Sequence, residues 1–148
     1  MQNRVQITST EQPKAYKAML GLEGYLAQSS LSKTLKDLIK IRASEINGCA
    51  YCIDMHTKEA MANGETLQRI FLISAWREAT KFFSGEEQTI LAITEEITLI
   101  HAHGLSDALY QQALQFFDES QIPEIIMAIV TINAWNRIAI STHLQIED

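Results

Sequence analysis

Apolar residues recur along this chain at intervals of three and four, and nowhere in the strict alternation of a half-buried strand. The pattern predicts an all-α fold, a single-domain bundle of about six or seven helices. Pro13 is placed to open a first helix whose Tyr16, Leu20 and Leu26 lie near one face. Ser30 or Ser32 can cap a second, with Leu35, Leu38, Ile39 and Ile41 as its apolar stripe. Asn47-Gly48 interrupts that helix, and a third is expected from about Asn47 to Asn63-Gly64. Thr66 to Phe83 reads as a fourth. Ser84-Gly85-Glu86-Glu87 has the spacing of a capping box for a fifth, expected to end at Gly104. Ser106 caps a short sixth. Pro123 falls in the first turn of the last, which carries Ile126, Ile129, Val130, Asn133, Ala134 and Arg137 to about His143.

The chain has 148 residues, 47% of them hydrophobic, enough for one packed core and too few for two. No repeat or linker divides it, so one domain over residues 1–148 is expected, with its core at about 31–140. The net charge of -6 offers no field for phosphates or anionic lipid, so neither nucleic acid nor a membrane is an expected partner. The polar start from Met1 to Gln6 lacks the features of a secretory signal. The longest apolar stretch, Ile125 to Ile132, is shorter than the roughly 20 residues that span a bilayer. These readings place the protein in the cytoplasm, and the apolar last helix predicts self-association.

Both cysteines fall in Asn47-Gly48-Cys49-Ala50-Tyr51-Cys52-Ile53-Asp54-Met55-His56. In a reducing compartment such a pair is redox-active, catalytic or metal-bound more often than it is a static cross-link. On a helix, Cys49, Cys52 and His56 share a face. Unpaired N–H groups and the positive end of the helix dipole in the first turn favour thiolate over thiol. His56 can take the proton of Cys52 directly or through water. A sulfenic acid formed at Cys52 can condense with Cys49 to a disulfide. Two other readings stay open at this point: a zinc site that adds His101, His103 or His143 to the cysteines, and inert packing.

Several separated blocks also resemble one family. Leu35-Lys36-Asp37-Leu38-Ile39, Ala43 to Cys52, His56-Thr57-Lys58, Trp76-Arg77-Glu78 and Ile132-Asn133-Ala134-Trp135-Asn136-Arg137 are similar, in order and spacing, to the alkylhydroperoxidase AhpD-like branch of the carboxymuconolactone decarboxylase family. The resemblance implies an all-α fold, trimers or hexamers, and thiol-dependent reduction of organic hydroperoxides. It implies Cys52 as the peroxide-attacking cysteine, Cys49 as its resolving partner and His56 as the histidine of the proton relay. The relay carboxylate falls at Asp37, where the family carries glutamate. Tyr51 stands at the position before the second cysteine that holds a histidine in the best-studied members and commonly a tyrosine in others; a phenol can donate a hydrogen bond but is a poor base at neutral pH. Glu45, one turn before Cys49, is a second candidate carboxylate. The branch with lactone decarboxylase chemistry lacks the Cys-X-X-Cys.

No nucleotide or phosphate loop is present, so no cofactor is expected and no metal is assigned. Electrons must then come from an external thiol or dithiol. The alternatives are a decarboxylase-like lyase and a non-enzymatic zinc-binding or redox-sensing oligomer. The remaining aromatics read as core or interface, Met55 and Met61 as core fillers, and Asn133, Asn136 and Arg137 as groups that hold helices or subunits in register.

Overall fold

The computed structural model describes residues 4–147; Met1 to Asn3 and Asp148, the ends of the polar start and of the expected domain, lie outside the described residues. Among these residues there are seven α-helices and no strand: α1 Pro13–Ala27, α2 Lys33–Asn47, α3 Ala50–Ala62, α4 Leu67–Leu72, α5 Gly85–Thr98, α6 Asp107–Ala113 and α7 Gln121–Thr142. The expected all-α bundle is therefore the observed fold. The helix starts obey local chemistry. Ser32, Thr66, Ser84 and Ser106 each accept a backbone N–H from their own first turn, and Ser84 with Glu87 completes the capping box.

α2 is central because it is apolar on two sides. Leu35, Ile39 and Ala43 join Ile90, Ile93, Ile125, Ile129 and Ile132 in the larger core, formed with α5 and α7. Leu38 and Ile41 face a second cluster with Ile73, Trp76, Phe83 and Leu91. Burying a side chain of this size is worth roughly 1.5–3 kcal/mol. α2 is thereby fixed against both neighbours, and its C-terminus becomes a rigid platform for the start of α3.

Three expectations need correction. Thr66 to Phe83 is not one helix: α4 ends at Leu72, and two 3-10 segments, Ile73–Glu78 and Thr80–Phe82, come after it with Ala75 outside helical geometry. This path turns Trp76 into the second cluster and lets its indole N–H donate to Glu95 at 2.9 Å. α5 ends at Thr98 rather than Gly104, so His101 and His103 lie in the turns beyond it and not in its last turn. Met55, Met61, Phe71 and Phe116 are exposed rather than core; Phe71 is 74% exposed.

α7, at 22 residues, is by length and composition long enough to cross a membrane, unlike the short apolar stretch read from the sequence. Here it packs along α1, α2, α3 and α5. Ile125, Ile129, Ile132 and the fully buried Asn136 face that packing.

Candidate active site

The site is built at the junction of α2 and α3. Gly48 takes φ +69, a left-handed conformation that glycine adopts without steric cost. Its N–H donates to the Glu45 carbonyl at 3.2 Å and the Cys49 N–H to the Ser44 carbonyl at 3.0 Å, which together close α2 in a Schellman motif. Cys49 is at once the residue after that closure and the N-cap of α3, its Sγ accepting the Cys52 N–H at 3.3 Å. The helix thus begins at Ala50, slightly later than the sequence suggests, with Cys52 still in its first turn.

Cys49 and Cys52 are joined in a disulfide, their Cα atoms 5.3 Å apart. Both are nearly inaccessible, at 1% and 3% exposure, beneath Ala139 of α7 and beside Tyr51 and Leu144. Cys52 nevertheless borders a cavity of about 480 Å³, which His56, Met55, Trp135 and Ile138 also line. The N-terminal arm forms part of its wall through Gln6 to Ser9. That arm is tied to the end of α7, where Arg4 donates to the Ser141 carbonyl at 2.7 Å and Gln6 to that of Thr142 at 2.9 Å.

His56, one turn after Cys52 and buried, shares this cavity. Burial pushes its pKa below the ordinary value, against the raising effect of Glu59. The Glu59 carboxylate lies 3.0 Å from His56 Nδ1, and both its oxygens accept from Lys40 Nζ at 3.2 Å. Burial opposes ionisation of Glu59, but His56 and Lys40 together hold its carboxyl below the usual range. Sequence reasoning missed Glu59, although its signal, the three-residue spacing from His56 on one helix, was present.

Asp37 is nearby but differently engaged. It lines a second cavity, of about 300 Å³, together with His56, Glu59 and Asn63. Its Oδ2 accepts from Asn63 at 2.8 Å, and burial raises its pKa. Glu45 points to another network: it pairs with Arg42 at 3.0 Å, and burial raises its pKa despite that partner. Arg42 also bonds Glu95, which draws this group toward the Trp76 cluster. Tyr51 packs on the disulfide and lines the larger cavity. Cys49, Cys52, Tyr51 and His56 are therefore brought together, Asp37 adjoins His56, and Glu45 belongs to the Arg42 network. Among the described residues, no group of three or more His, Cys, Asp or Glu side chains is gathered where a metal ion could be held.

Asn133, Asn136 and Arg137 form the polar support of this platform. Asn47 Nδ2 donates to Asn133 Oδ1 and Asn136 Oδ1, each at 2.9 Å, and Asn136 Nδ2 donates to Ser44 Oγ at 3.0 Å. Arg137 braces Asn133 from the exposed side of α7.

Comparison with known proteins agrees with this architecture. The chain is 46% identical over 129 residues to the uncharacterized protein YdfG of Bacillus subtilis (strain 168), covering 87% of each. It superposes with TM-score 0.92 and 36% identity on a crystal structure from Agrobacterium tumefaciens, covering 99% of both chains; that protein is of unknown function, with a suggested role as the antioxidant-defence protein AhpD. The debrominase Bmp8 shares the fold at TM-score 0.80 and 22% identity, over 91% of this chain and 72% of that one. The model of the carboxymuconolactone decarboxylase family matches residues 13–96, more than half of the sequence. With the all-α architecture and the Cys-X-X-Cys at the start of α3, this chain belongs to the carboxymuconolactone decarboxylase family and is AhpD-like.

Proposed function

We propose that the protein is a thiol-dependent peroxidase that reduces organic hydroperoxides through Cys49 and Cys52. The observation that carries this reading is a Cys49–Cys52 disulfide, buried at a helix start, beside a cavity that His56 also lines. The disulfide corresponds to the oxidised end of the cycle. In the reduced protein, His56 accepts the Cys52 proton and the thiolate attacks the outer oxygen of the hydroperoxide. The O–O bond breaks, the alkoxide takes a proton from His56 and leaves as alcohol, and Cys52 becomes a sulfenic acid. Cys49 then attacks that sulfur, forming the S–S bond and releasing water. An external thiol or dithiol returns the pair to the reduced state by exchange. Such a cycle suits a reducing cytoplasm.

The test is consumption of tert-butyl hydroperoxide by metal-free protein with a dithiol reductant, beside Cys52→Ser and His56→Ala. Turnover lost in the first variant and reduced in the second is the expected result. Wild type that matches the reductant blank would remove the peroxidase reading.

The family's name favours a second reading, a decarboxylase-like lyase that moves protons without the dithiol. Activity on a muconolactone that survives removal of both cysteines would establish it. Stoichiometric zinc released with loss of structure, or disulfide formation without turnover, would instead favour a metal-binding or redox-sensing protein. A homo-oligomer, trimer or hexamer, fits the exposed Leu67 and Phe71, one turn apart on α4. Light scattering tests it.

A further inference from the structure

We propose that Glu59, anchored by Lys40, is the positioning residue of His56, holding the imidazole so that Nε2 serves Cys52. The inference rests on the dithiol reading above and assigns the histidine's partner to a residue of its own helix. Glu59 lies three residues after His56 on α3, and its Oε2 is 3.0 Å from Nδ1. A carboxylate at that distance accepts the Nδ1–H, which fixes the tautomer and leaves Nε2 as the nitrogen available to the cavity. Lys40 comes from α2 and binds both Glu59 oxygens, so the carboxylate is held between two helices that pack against each other.

Asp37 precedes Lys40 by one turn on α2 and would be the alternative partner. Its carboxylate is engaged instead by Asn63, the C-cap of α3. The charged groups around His56 are Glu59 on α3, Asp37 and Lys40 on α2, and Glu23 on α1, with Lys33 and Lys36 of α2 farther along the wall of the smaller cavity; α7 contributes the uncharged Trp135. Of these, Glu59 alone has a hydrogen bond to the ring among the described residues.

Burial disfavours an imidazolium, and Glu59 is the strongest opposing influence. When the Cys52 thiol gives its proton to Nε2, the sulfur becomes thiolate and the ring becomes imidazolium with Nδ1–H still on Glu59. When the alkoxide forms, the same proton leaves Nε2 for the alcohol and the ring returns to its starting tautomer. Without the Glu59 charge, the thiolate and imidazolium form less readily, and Cys52 is activated only at higher pH.

The experiment uses full-length reduced protein in a Cys49→Ser background, in which Cys52 is the single thiol. Its alkylation by iodoacetamide is measured against pH, with and without Glu59→Gln, and ¹⁵N NMR reads the His56 tautomer. The expected result is an Nδ1–H tautomer with Glu59 present. With Glu59→Gln, the alkylation profile moves to higher pH and the rate near neutrality falls by about tenfold. Superimposable profiles from folded proteins would overturn the proposal, as would a larger shift from Asp37→Asn than from Glu59→Gln. An Nε2–H tautomer with Glu59 in place overturns it even if the Gln variant fails to fold. Alkylation requires no hydroperoxide, so a protein that consumes none while Glu59 still governs Cys52 loses the peroxidase reading alone.

Discussion

The Ser44 carbonyl accepts the Cys49 amide at 3.0 Å, so the last turn of α2 and the first of α3 share one hydrogen-bonded corner. Gly48 makes the corner possible with its positive φ, and nothing beyond its immediate chain neighbours lies within 4 Å of where a Cβ would sit. Gly48→Ala should therefore cost only backbone strain, about 1 kcal/mol. Urea denaturation of the oxidised protein measures it, and a loss near zero would show that the corner tolerates an ordinary residue.

Asn136 is fully buried and links Ser44 to Asn47 across the α2–α7 contact. Its replacement by Ala removes one hydrogen bond from each of two polar partners, which keep their bonds to Asn133 and to the Lys40 carbonyl, and opens a void, for a cost of roughly 2–3 kcal/mol. Equilibrium unfolding should show this loss with little change in helix content.

His56 carries a pKa held below its ordinary 6.5 by burial. Between that ordinary value and the lower folded one, the unfolded chain binds more protons than the folded chain, so stability falls as pH falls through this window. Above 6.5 the contribution is complete. Denaturation midpoints measured as a function of pH should show this acid-side loss, and His56→Gln should remove its share of the slope.

Asp37 has the opposite sign. Its pKa is raised above 3.8 by burial, so its ionisation disfavours the folded state as pH rises through the folded value. Asp37→Asn should be more stable than wild type at neutral pH, with the gain vanishing below about pH 3.8. Thermal unfolding at pH 7 and pH 3.5 distinguishes this from a pH-independent packing effect.

Arg69 joins α4 to α5 through Glu87 at 2.7 Å, pairs with Glu65 just before α4 at 2.8 Å, and donates to the Phe82 carbonyl. Arg69→Ala leaves two partly buried carboxylates without their cation and should cost about 2–3 kcal/mol. Proteolysis of the variant is expected to begin between Leu72 and Phe83; an unchanged cleavage pattern would refute that.

Much of the fold was written locally. Pro13 does open α1, and Ser32, Ser84 and Ser106 occupy their caps, because each cap is decided by a side chain and the amides of its own turn. The break after Leu72 has no glycine or proline to announce it. It depends on Trp76 reaching Glu95 and on Arg69 taking the Phe82 carbonyl, both of them contacts between segments distant in sequence. At the site, the row of Cys49, Cys52 and His56 comes from spacing along one helix. The engagement of Asp37 with Asn63 depends on how α2 lies against α3, which spacing along α2 does not encode.

α7 is one uninterrupted helix of 22 residues, roughly 33 Å long. Trp135 in the cavity wall, Asn136 in the buried network, Ala139 over the disulfide and Thr142 holding the N-terminal arm succeed one another along it. A single inserted residue near Thr131 would turn everything beyond it by about 100°. Cavity shape, sulfur cover and arm attachment would then be lost in one step, so in this protein they can be retuned by substitution but not by changes of length.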